Sequence, residues 1–169
     1  VLTELLFKLK YTIAIAHCNF SLRGKESDQD ALFTQNLAEK LAIPFHTETF
    51  DTKAYATDKK LSTQMAAREL RYTWFQEVAA NFGYAYILTA HHADDDLETF
   101  FINLSRGTGL RGLTGIPMQH EKILRPLLPF SREAILEFAK SQHLYWREDS
   151  SNAKTDYLRN ELRLEVLPK

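Results

Sequence analysis

YAYILTAHHADDDLETFFINLSRGTGLRGL, residues 84–113, joins an apolar run to an acidic helix through two adjacent histidines. The apolar and aromatic residues 84–90 predict a strand. Residues 94–105 open with three aspartates and then repeat apolar side chains at helical spacing, so they predict a helix. A strand that runs directly into a helix is the repeating unit of α/β folds, and the segment therefore predicts that fold class.

The same alternation is found on the N-terminal side of this segment. Residues 11–20 predict a buried strand that ends near His17, and residues 45–50 predict a second strand. Between them, residues 27–43 predict a helix with a serine or aspartate cap, which Pro44 ends.

A long helix is predicted before the central segment and shorter elements after it. Residues 61–83 have the pattern of a helix capped by Ser62 and closed by Gly83, whereas the polar residues 51–60 predict a loop. The C-terminal part predicts a glycine-rich loop, a short extended piece, a helix and the start of a further helix, in residues 107–122, 123–130, 131–143 and 153–169. Strands that alternate with long helices predict a parallel sheet with helices on both faces.

The ends of the predicted strands carry histidines. His17 ends the first strand, and His91 and His92 follow a later one. Ligands of parallel α/β sheets bind beyond the carboxyl ends of the strands, so we expect a binding site at that edge.

The acidic start of the central helix is a second indication of a site. Asp95 and Glu98 share one helix face, while Leu97, Phe101 and Leu104 share another that we expect to face the core. Acidic residues in a first turn stabilise a helix by about 0.3–1 kcal/mol each, but three consecutive aspartates exceed what capping needs. A pocket for a cation, either Mg²⁺ with nucleotide phosphates or an ammonium group, and a histidine–aspartate metal site both remain open.

Two arginines flank the glycines of the loop that follows this helix. Arg106 and Arg111 enclose Gly107 and Gly109, so guanidinium and backbone N–H groups are available to phosphate. An ordinary surface loop is the competing interpretation, and the loop by itself does not choose between the two.

Composition narrows the class of protein. The 169 residues carry a net charge of −1 and include one cysteine, Cys18, which excludes an internal disulfide framework and a CxxC site. Residues 1–105 hold 10 Lys and Arg against 14 Asp and Glu, whereas residues 106–169 hold 11 against 8. Because the sequence shows no long apolar run and no signal segment, we expect a cytoplasmic protein without a membrane partner.

The segments together resemble the tRNA(Ile)-lysidine synthase family of the PP-loop, or N-type ATP pyrophosphatase, superfamily. The resemblance rests on HCNFSLRGKESDQD, STQMAARELRYTWF, LTAHHADDDLETFFINLSRGTGLRGLTGIP, ILRPLLPFSR and WREDSSN with YLRNELRLEVLP, which follow the family's order along nearly the whole chain. It implies a Rossmann-like fold of the adenine nucleotide α-hydrolase type. It also implies a catalytic domain over residues 1–152 and, over residues 153–169, the start of a helix that leads to further domains.

The resemblance implies an ATP-dependent ligase that modifies tRNA(Ile) with a CAU anticodon. ATP, with Mg²⁺, adenylates the C2 carbonyl oxygen of the wobble cytidine and releases pyrophosphate. The ε-amine of L-lysine then attacks that carbon, AMP leaves, and lysidine results. A carboxylate near the amine would hold the ammonium form and assist its loss of a proton. The sequence leaves a homodimer open.

The family's site residues are carried over motif by motif. By resemblance, Asp95 and Glu98 bind and orient lysine, with Asp94 beside them. His91 lies near the phosphates or the cytidine, and Arg71 stabilises charge around the adenylate. The implied ATP-binding residues are His17, Asn19, Arg23 and His91. The implied phosphate- or tRNA-binding residues are Arg106, Gly107, Gly109, Arg111, Arg159 and Arg163.

Two departures from the family pattern matter. Phe20 stands where the family's HxNHxLRG motif has its second histidine, so the contact of that ring is absent or replaced. The family's SGGxDS phosphate loop, expected upstream of Val1, does not occur in these 169 residues, and residues 1–10 resemble the helix that follows it. Because the N–H groups of that loop bind pyrophosphate, we predict that this chain alone does not turn over ATP.

Three other functions stay open. A sulfur-transferring PP-loop enzyme acting on tRNA often uses paired cysteines, and this chain has Cys18 alone. A non-catalytic tRNA-binding module would keep the fold without the phosphate loop. A metal-dependent hydrolase would be built on His91, His92 and Asp95.

Overall fold

The computed structural model describes residues 1–109 and 113–147. The chain divides into two compact units, one of Thr3–Ile87 and the other of Val1–Leu2 with the part from Leu88 onwards. The helices in the described residues are α1 (Leu2–Lys8), α2 (Lys25–Leu41), α3 (Thr52–Lys59), α4 (Thr63–Asn81), α5 (Ala93–Ser105) and α6 (Arg132–Ser141). The strands there are β1 (Ile15–Asn19), β2 (Phe45–Thr49), β3 (Ile87–Leu88), β4 (Gln119–His120) and β5 (Ile123–Leu124).

The first unit is organised on a parallel pair of strands, β1 and β2. Ile15 lies opposite Phe45 and Asn19 opposite Thr49, and α2 connects the two strands. The strand lies within the predicted residues 11–20 and ends at Asn19, two residues beyond the predicted end near His17. The strand is half-buried rather than buried, except at Asn19.

Helix α2 begins before its predicted start and without the predicted side-chain cap. Its N-cap is Gly24 at φ 53°, which has no side chain to offer. Ser27, an expected cap, is buried in the first turn, where its Oγ accepts a hydrogen bond from the Arg23 backbone N–H at 3.2 Å. The helix ends before Pro44 is reached, since Ala42 takes the left-handed conformation.

Residues 51–60, predicted as a loop, form helix α3 instead. The Asp51 side chain caps this helix by accepting a hydrogen bond from the Ala54 N–H at 3.0 Å. Thr52 and Ala56 are its buried residues. Neither is a large apolar side chain, so the segment lacks the amphipathic pattern by which a helix is recognised in a sequence.

The predicted bounds of α4, α5 and α6 are confirmed to within two residues at each end. Ser62 caps α4 and Ser131 caps α6, each through its side-chain oxygen. Gly83 follows the end of α4 at φ 70°, a left-handed conformation that glycine adopts without strain.

The second unit contains short strands in the order β3-β5-β4. β4 and β5 are antiparallel, so residues 107–122, predicted as a loop, include one strand of a hairpin. The Thr89 N–H, directly after β3, donates to the Leu124 carbonyl at 3.0 Å. The buried apolar side chains described in this unit are Ile123, Leu127, Leu128 and Ala139. Over the described residues, every helix is too short or too polar to cross a membrane.

Candidate functional site

The turn between β1 and α2 carries Asn19, one of the predicted ATP-binding residues, in a fixed orientation. Asn19 is buried, and its Nδ2 donates to Asp28 Oδ1 at 2.9 Å. Its Oδ1 accepts a hydrogen bond from the Ser21 N–H at 3.0 Å. Ser21 has φ 53°, so the amide of Asn19 stabilises a strained turn as well as standing at the end of the strand.

Arg23 and His17 lie in the same unit, and each interacts with Asp30. Arg23 Nη2 is 2.7 Å from Asp30 Oδ2, and both side chains are partly exposed. A partly exposed ion pair is worth at most about 1 kcal/mol, so a phosphate can compete for this guanidinium. Burial lowers the pKa of His17, and Asp30 opposes that shift. The neutral imidazole is therefore favoured at neutral pH.

Arg71 lies on α4, where its guanidinium carbon is 5.1 Å from the centroid of the Phe20 ring. Its charge also reaches β1. Burial raises the pKa of the Cys18 thiol to about 12, with Arg71 opposing that shift and Glu48 adding to it. The structure thus brings a half-buried guanidinium close to the motif that contains Phe20.

The histidine pair occupies the junction between β3 and α5. His91 Nδ1 is 2.9 Å from Thr89 Oγ1, which fixes the ring. The His92 ring lies between two carboxylates, with Nδ1 at 3.6 Å from Asp94 Oδ2 and Nε2 at 3.5 Å from Asp95 Oδ2. His92 Nδ1 is buried and has no hydrogen-bond partner within the described residues.

Each of the three consecutive aspartates has a different structural partner. Asp94 Oδ2 accepts a hydrogen bond from the Arg132 N–H at 2.8 Å, at the start of α6. Asp95 Oδ2 accepts from the His92 N–H at 3.0 Å and so caps α5 itself. Asp96 Oδ1 accepts from the Ile116 N–H. Only Asp95 caps α5, so the expectation that three aspartates exceed what capping needs was right, and Asp94 and Asp96 bond to the backbone of other segments.

Glu98 is the most deeply buried ionisable side chain of α5, with 0% of its surface exposed. The predicted apolar core face of this helix was wrong, because Leu97 is 46% and Leu104 50% exposed. Burying a carboxylate costs far more than burying a leucine, so its position in the interior needs compensating interactions. Asp95 is half-buried beside it, and the two form one acidic helix face.

The predicted phosphate-binding residues after α5 are only partly described. Arg106 is exposed at the C-cap of the helix, Gly107 follows at φ 68°, and Gly109 is exposed. The glycine ends the helix in the usual left-handed conformation, which is a structural role. Arg111, Arg159 and Arg163 lie outside the described residues.

The sequence interpretation missed Arg125, which is buried next to β5. Its Nη1 donates to the Pro117 carbonyl at 2.7 Å, and its backbone N–H donates to the Met118 carbonyl at 2.9 Å. An arginine inside the apolar run ILRPLL was the signal that could have singled it out. In the residues that the structure describes, no three His, Cys, Asp or Glu side chains are arranged to hold a metal ion.

Comparison with known proteins gives one family and a set of similar chains. A family model described as a PP-loop domain matches residues 1–169. The chain is 48% identical over 167 residues to a tRNA(Ile)-lysidine synthase of Parabacteroides distasonis, an alignment that covers 99% of this chain and 38% of the relative. It is 45% identical over 162 residues to a tRNA(Ile)-lysidine synthase of Porphyromonas gingivalis, and this alignment covers 95% of this chain and 36% of the relative. It is 35% identical over 168 residues to a tRNA(Ile)-lysidine synthase of Petrotoga mobilis, and this alignment covers 99% of this chain and 54% of the relative. The chain thus spans 36–54% of the length of these relatives.

A solved structure shares the fold. The U34-tRNA thiolase NcsA from Methanococcus maripaludis, with its 4Fe-4S cluster, matches with a TM-score of 0.73 and 15% sequence identity. The match covers 95% of this chain and 59% of that chain. At this identity it bears on the fold alone, and it confirms the predicted α/β, Rossmann-like architecture with a parallel sheet.

Proposed function

This chain belongs to the PP-loop domain family, and on that premise we propose that it carries the catalytic domain of a tRNA(Ile)-lysidine synthase. The proposed enzyme adenylates the wobble cytidine of tRNA(Ile) with a CAU anticodon, using ATP and Mg²⁺, and joins L-lysine to it in the cytoplasm. One observation carries the proposal: the curated relatives of that name are similar along almost the whole chain.

The acidic face of α5 supports a role in binding lysine. An ammonium group attracts a carboxylate more strongly where water is excluded, and Glu98 is fully buried. The amine must lose a proton before it can attack carbon, and a carboxylate within hydrogen-bond reach can accept that proton. We therefore assign lysine binding and proton transfer to Asp95 and Glu98. Asp94, whose oxygen already holds the start of α6, has an auxiliary part.

The turn between β1 and α2, together with Arg71, supports a role in binding ATP. ATP supplies the adenylyl group that turns the C2 oxygen of cytidine into a good leaving group. Arg23 and Arg71 offer guanidinium groups to phosphate oxygens, and the neutral ring of His17 can donate one hydrogen bond. The side chain of Asn19 is hydrogen-bonded to Asp28, so its proposed role is to hold the turn in the conformation that binds ATP. For His91, at the junction between β3 and α5, a contact with the phosphates or the cytidine is a separate proposal that rests on the resemblance.

Contacts with tRNA are proposed for the basic C-terminal part. Near the end of α5, Arg106 has an exposed, positively charged side chain, and the backbone is exposed at Gly107 and Gly109. Such groups bind phosphate without reading sequence, so they would position the RNA and not select it. The same role is proposed for Arg111, Arg159 and Arg163.

The test is direct detection of the modified nucleoside. The full-length protein is incubated with ATP, Mg²⁺, L-lysine and a tRNA(Ile) transcript, and the tRNA is digested and examined by mass spectrometry. We expect a nucleoside heavier than cytidine by one lysine residue, absent when ATP or lysine is omitted. Unmodified tRNA that still binds the protein would favour the non-catalytic module instead.

The sulfur-transfer alternative gains no support from the cysteine of this chain. Burial raises the pKa of Cys18 to about 12, so its thiolate is scarce at neutral pH. The thiolase NcsA shares the fold at 15% identity, which does not extend to chemistry.

A further inference from the structure

Phe20 interrupts a motif of polar and charged residues, yet its ring has a specific neighbour. The guanidinium carbon of Arg71 lies 5.1 Å from the ring centroid. A cation within about 6 Å of an aromatic face is attracted by the ring quadrupole. The side chain that departs from the family motif thus contacts the arginine to which we assign charge stabilisation.

Phe20 is fixed through both its backbone and its ring. Its carbonyl accepts a hydrogen bond from Thr52 Oγ1 at 2.9 Å, and Thr52 is buried. Its ring stacks on Phe50, with centroids 5.9 Å apart and planes inclined by 22°. Phe50 meets Trp74 edge-on at 6.3 Å, and Trp74 lies on the same helix as Arg71. Ring and guanidinium are therefore held against one packed cluster.

The contact holds Arg71 without neutralising it. Within residues 1–109 and 113–147, Arg71 forms no ion pair, whereas Arg23 pairs with Asp30 at 2.7 Å. A carboxylate partner would compete with a phosphate for the guanidinium, but a neutral ring does not. A histidine at position 20 would be positively charged when protonated and would then repel Arg71.

We propose that Phe20 is a positioning residue whose ring orients the Arg71 guanidinium towards the charge that develops during adenylation. The proposal rests on the proposed function, because that function gives Arg71 its task. An interaction that matters in the transition state changes kcat and leaves the KM for ATP nearly unchanged. A lower kcat at an unchanged KM for ATP therefore distinguishes a positioning role of Phe20 from a general loss of structure.

The test compares Phe20→Leu, Phe20→Tyr, Arg71→Gln and the double variant Phe20→Leu/Arg71→Gln in the full-length protein. Phe82→Leu is the matched control, since Phe82 is an exposed ring of the same unit that does not contact Arg71. The measured quantities are kcat and KM for ATP in tRNA-dependent pyrophosphate release, together with the melting temperature. We expect Phe20→Leu to lower kcat by about 3- to 30-fold, as the loss of a cation–π contact would. We expect Phe20→Tyr to restore it to within about twofold, and Arg71→Gln, which removes the cation, to abolish the effect of Phe20→Leu.

A second measurement keeps the contact testable without activity. The Nε–H resonance of Arg71, observed by NMR in protein labelled on arginine, should show an upfield ring-current shift that Phe20→Leu removes and Phe20→Tyr retains. If the unsubstituted protein releases no pyrophosphate, the proposed function fails and the resonance alone decides the contact. An unchanged resonance in Phe20→Leu, a tyrosine variant no better than leucine, or additive effects of the two substitutions would each overturn the proposal.

Discussion

The two strand-to-helix junctions of this chain, β1 to α2 and β3 to α5, have the same local topology and opposite chemistry. The first carries the partly exposed guanidinium of Arg23 beside a buried Asn19, and the N-cap of its helix is Gly24. The second offers carboxylates, and its helix is capped by Asp95. We propose that the first junction binds an anion and the second a cation, a difference that lies in their side chains and not in their topology.

The carboxylates of the second junction differ from one another in what they contact and in how deeply they are buried. Asp94 and Asp96 accept hydrogen bonds from backbone groups at residues 132 and 116, which stabilises neighbouring segments. Glu98 is fully buried in the helix face that it shares with Asp95. The number of acidic residues at a helix start therefore does not measure how many of them are available to a ligand.

The largest expected effect is that of Glu98→Gln. The amide keeps the shape of the side chain but can neither hold an ammonium by charge nor accept its proton, so lysidine formation should slow by about 10²- to 10⁴-fold. The measurement is the initial rate at saturating lysine. Glu137→Gln, on the exposed side of α6, is the control. A loss of less than about tenfold would show that Glu98 takes no part in the chemistry.

Gly115→Ala tests the structural role of Asp96 at the same junction. Gly115 has φ 70°, and a Cβ there would overlap the Asp96 carboxylate. We expect a loss of about 1–3 kcal/mol in the free energy of unfolding, measured by urea denaturation. Gly107→Ala is the control, because Gly107 also has a left-handed φ, of 68°, and no atom lies within 4 Å of its added Cβ. Equal stabilities of the two variants would mean that Asp96 does not hold this turn.

Paired substitutions test whether the two junctions serve different ligands. Arg23→Gln should raise the KM for ATP by about tenfold, the worth of one charge-assisted hydrogen bond, and leave the KM for lysine unchanged. Asp95→Asn should do the reverse, since the amide oxygen can still cap α5 but lacks the charge that attracts an ammonium. Steady-state kinetics with each substrate varied in turn is the measurement. Both substitutions acting on the same KM would remove the distinction.

The smallest expected effect is a pH dependence at the first junction. Burial lowers the pKa of His17 from 6.5, so the unfolded chain binds a proton more readily than the folded one. This contribution of His17 to the free energy of unfolding is fully present above the unfolded-state pKa of 6.5. It is lost as the pH falls through 6.5 towards the lower pKa of the folded state. His17→Gln should flatten the decline in unfolding free energy between about pH 7.5 and about pH 5.5. Parallel curves for the two proteins would contradict a half-buried, neutral His17.

The sequence predicted the elements with clear end signals and missed those without them. Ser62 and Ser131 mark the starts of α4 and α6, and both helices were found near their predicted bounds. Helix α3 was missed because its two buried residues, Thr52 and Ala56, give no apolar stripe.

The candidate site was harder to predict than the fold. Periodicity assigns leucines to the core and glutamates to solvent, so it could not foresee a buried Glu98 beside exposed Leu97 and Leu104. The partners of Asp94 and Asp96 are distant in sequence, at residues 132 and 116, and depend on tertiary structure. The resemblance to a family supplied the proposed roles, which helix and strand patterns alone do not contain.

The most direct test of the assignment of lysine to the acidic junction uses radiolabelled lysine. The full-length protein is incubated with tRNA(Ile), ATP and Mg²⁺, and the label that stays on the tRNA after mild alkali is counted. Alkali removes aminoacyl esters and spares a C–N bond to a base. We predict ATP-dependent, alkali-stable label that Asp95→Asn greatly reduces and that Asp58→Asn, an exposed aspartate of α3, leaves intact. No stable label, or label unaffected by Asp95→Asn, would contradict the assignment.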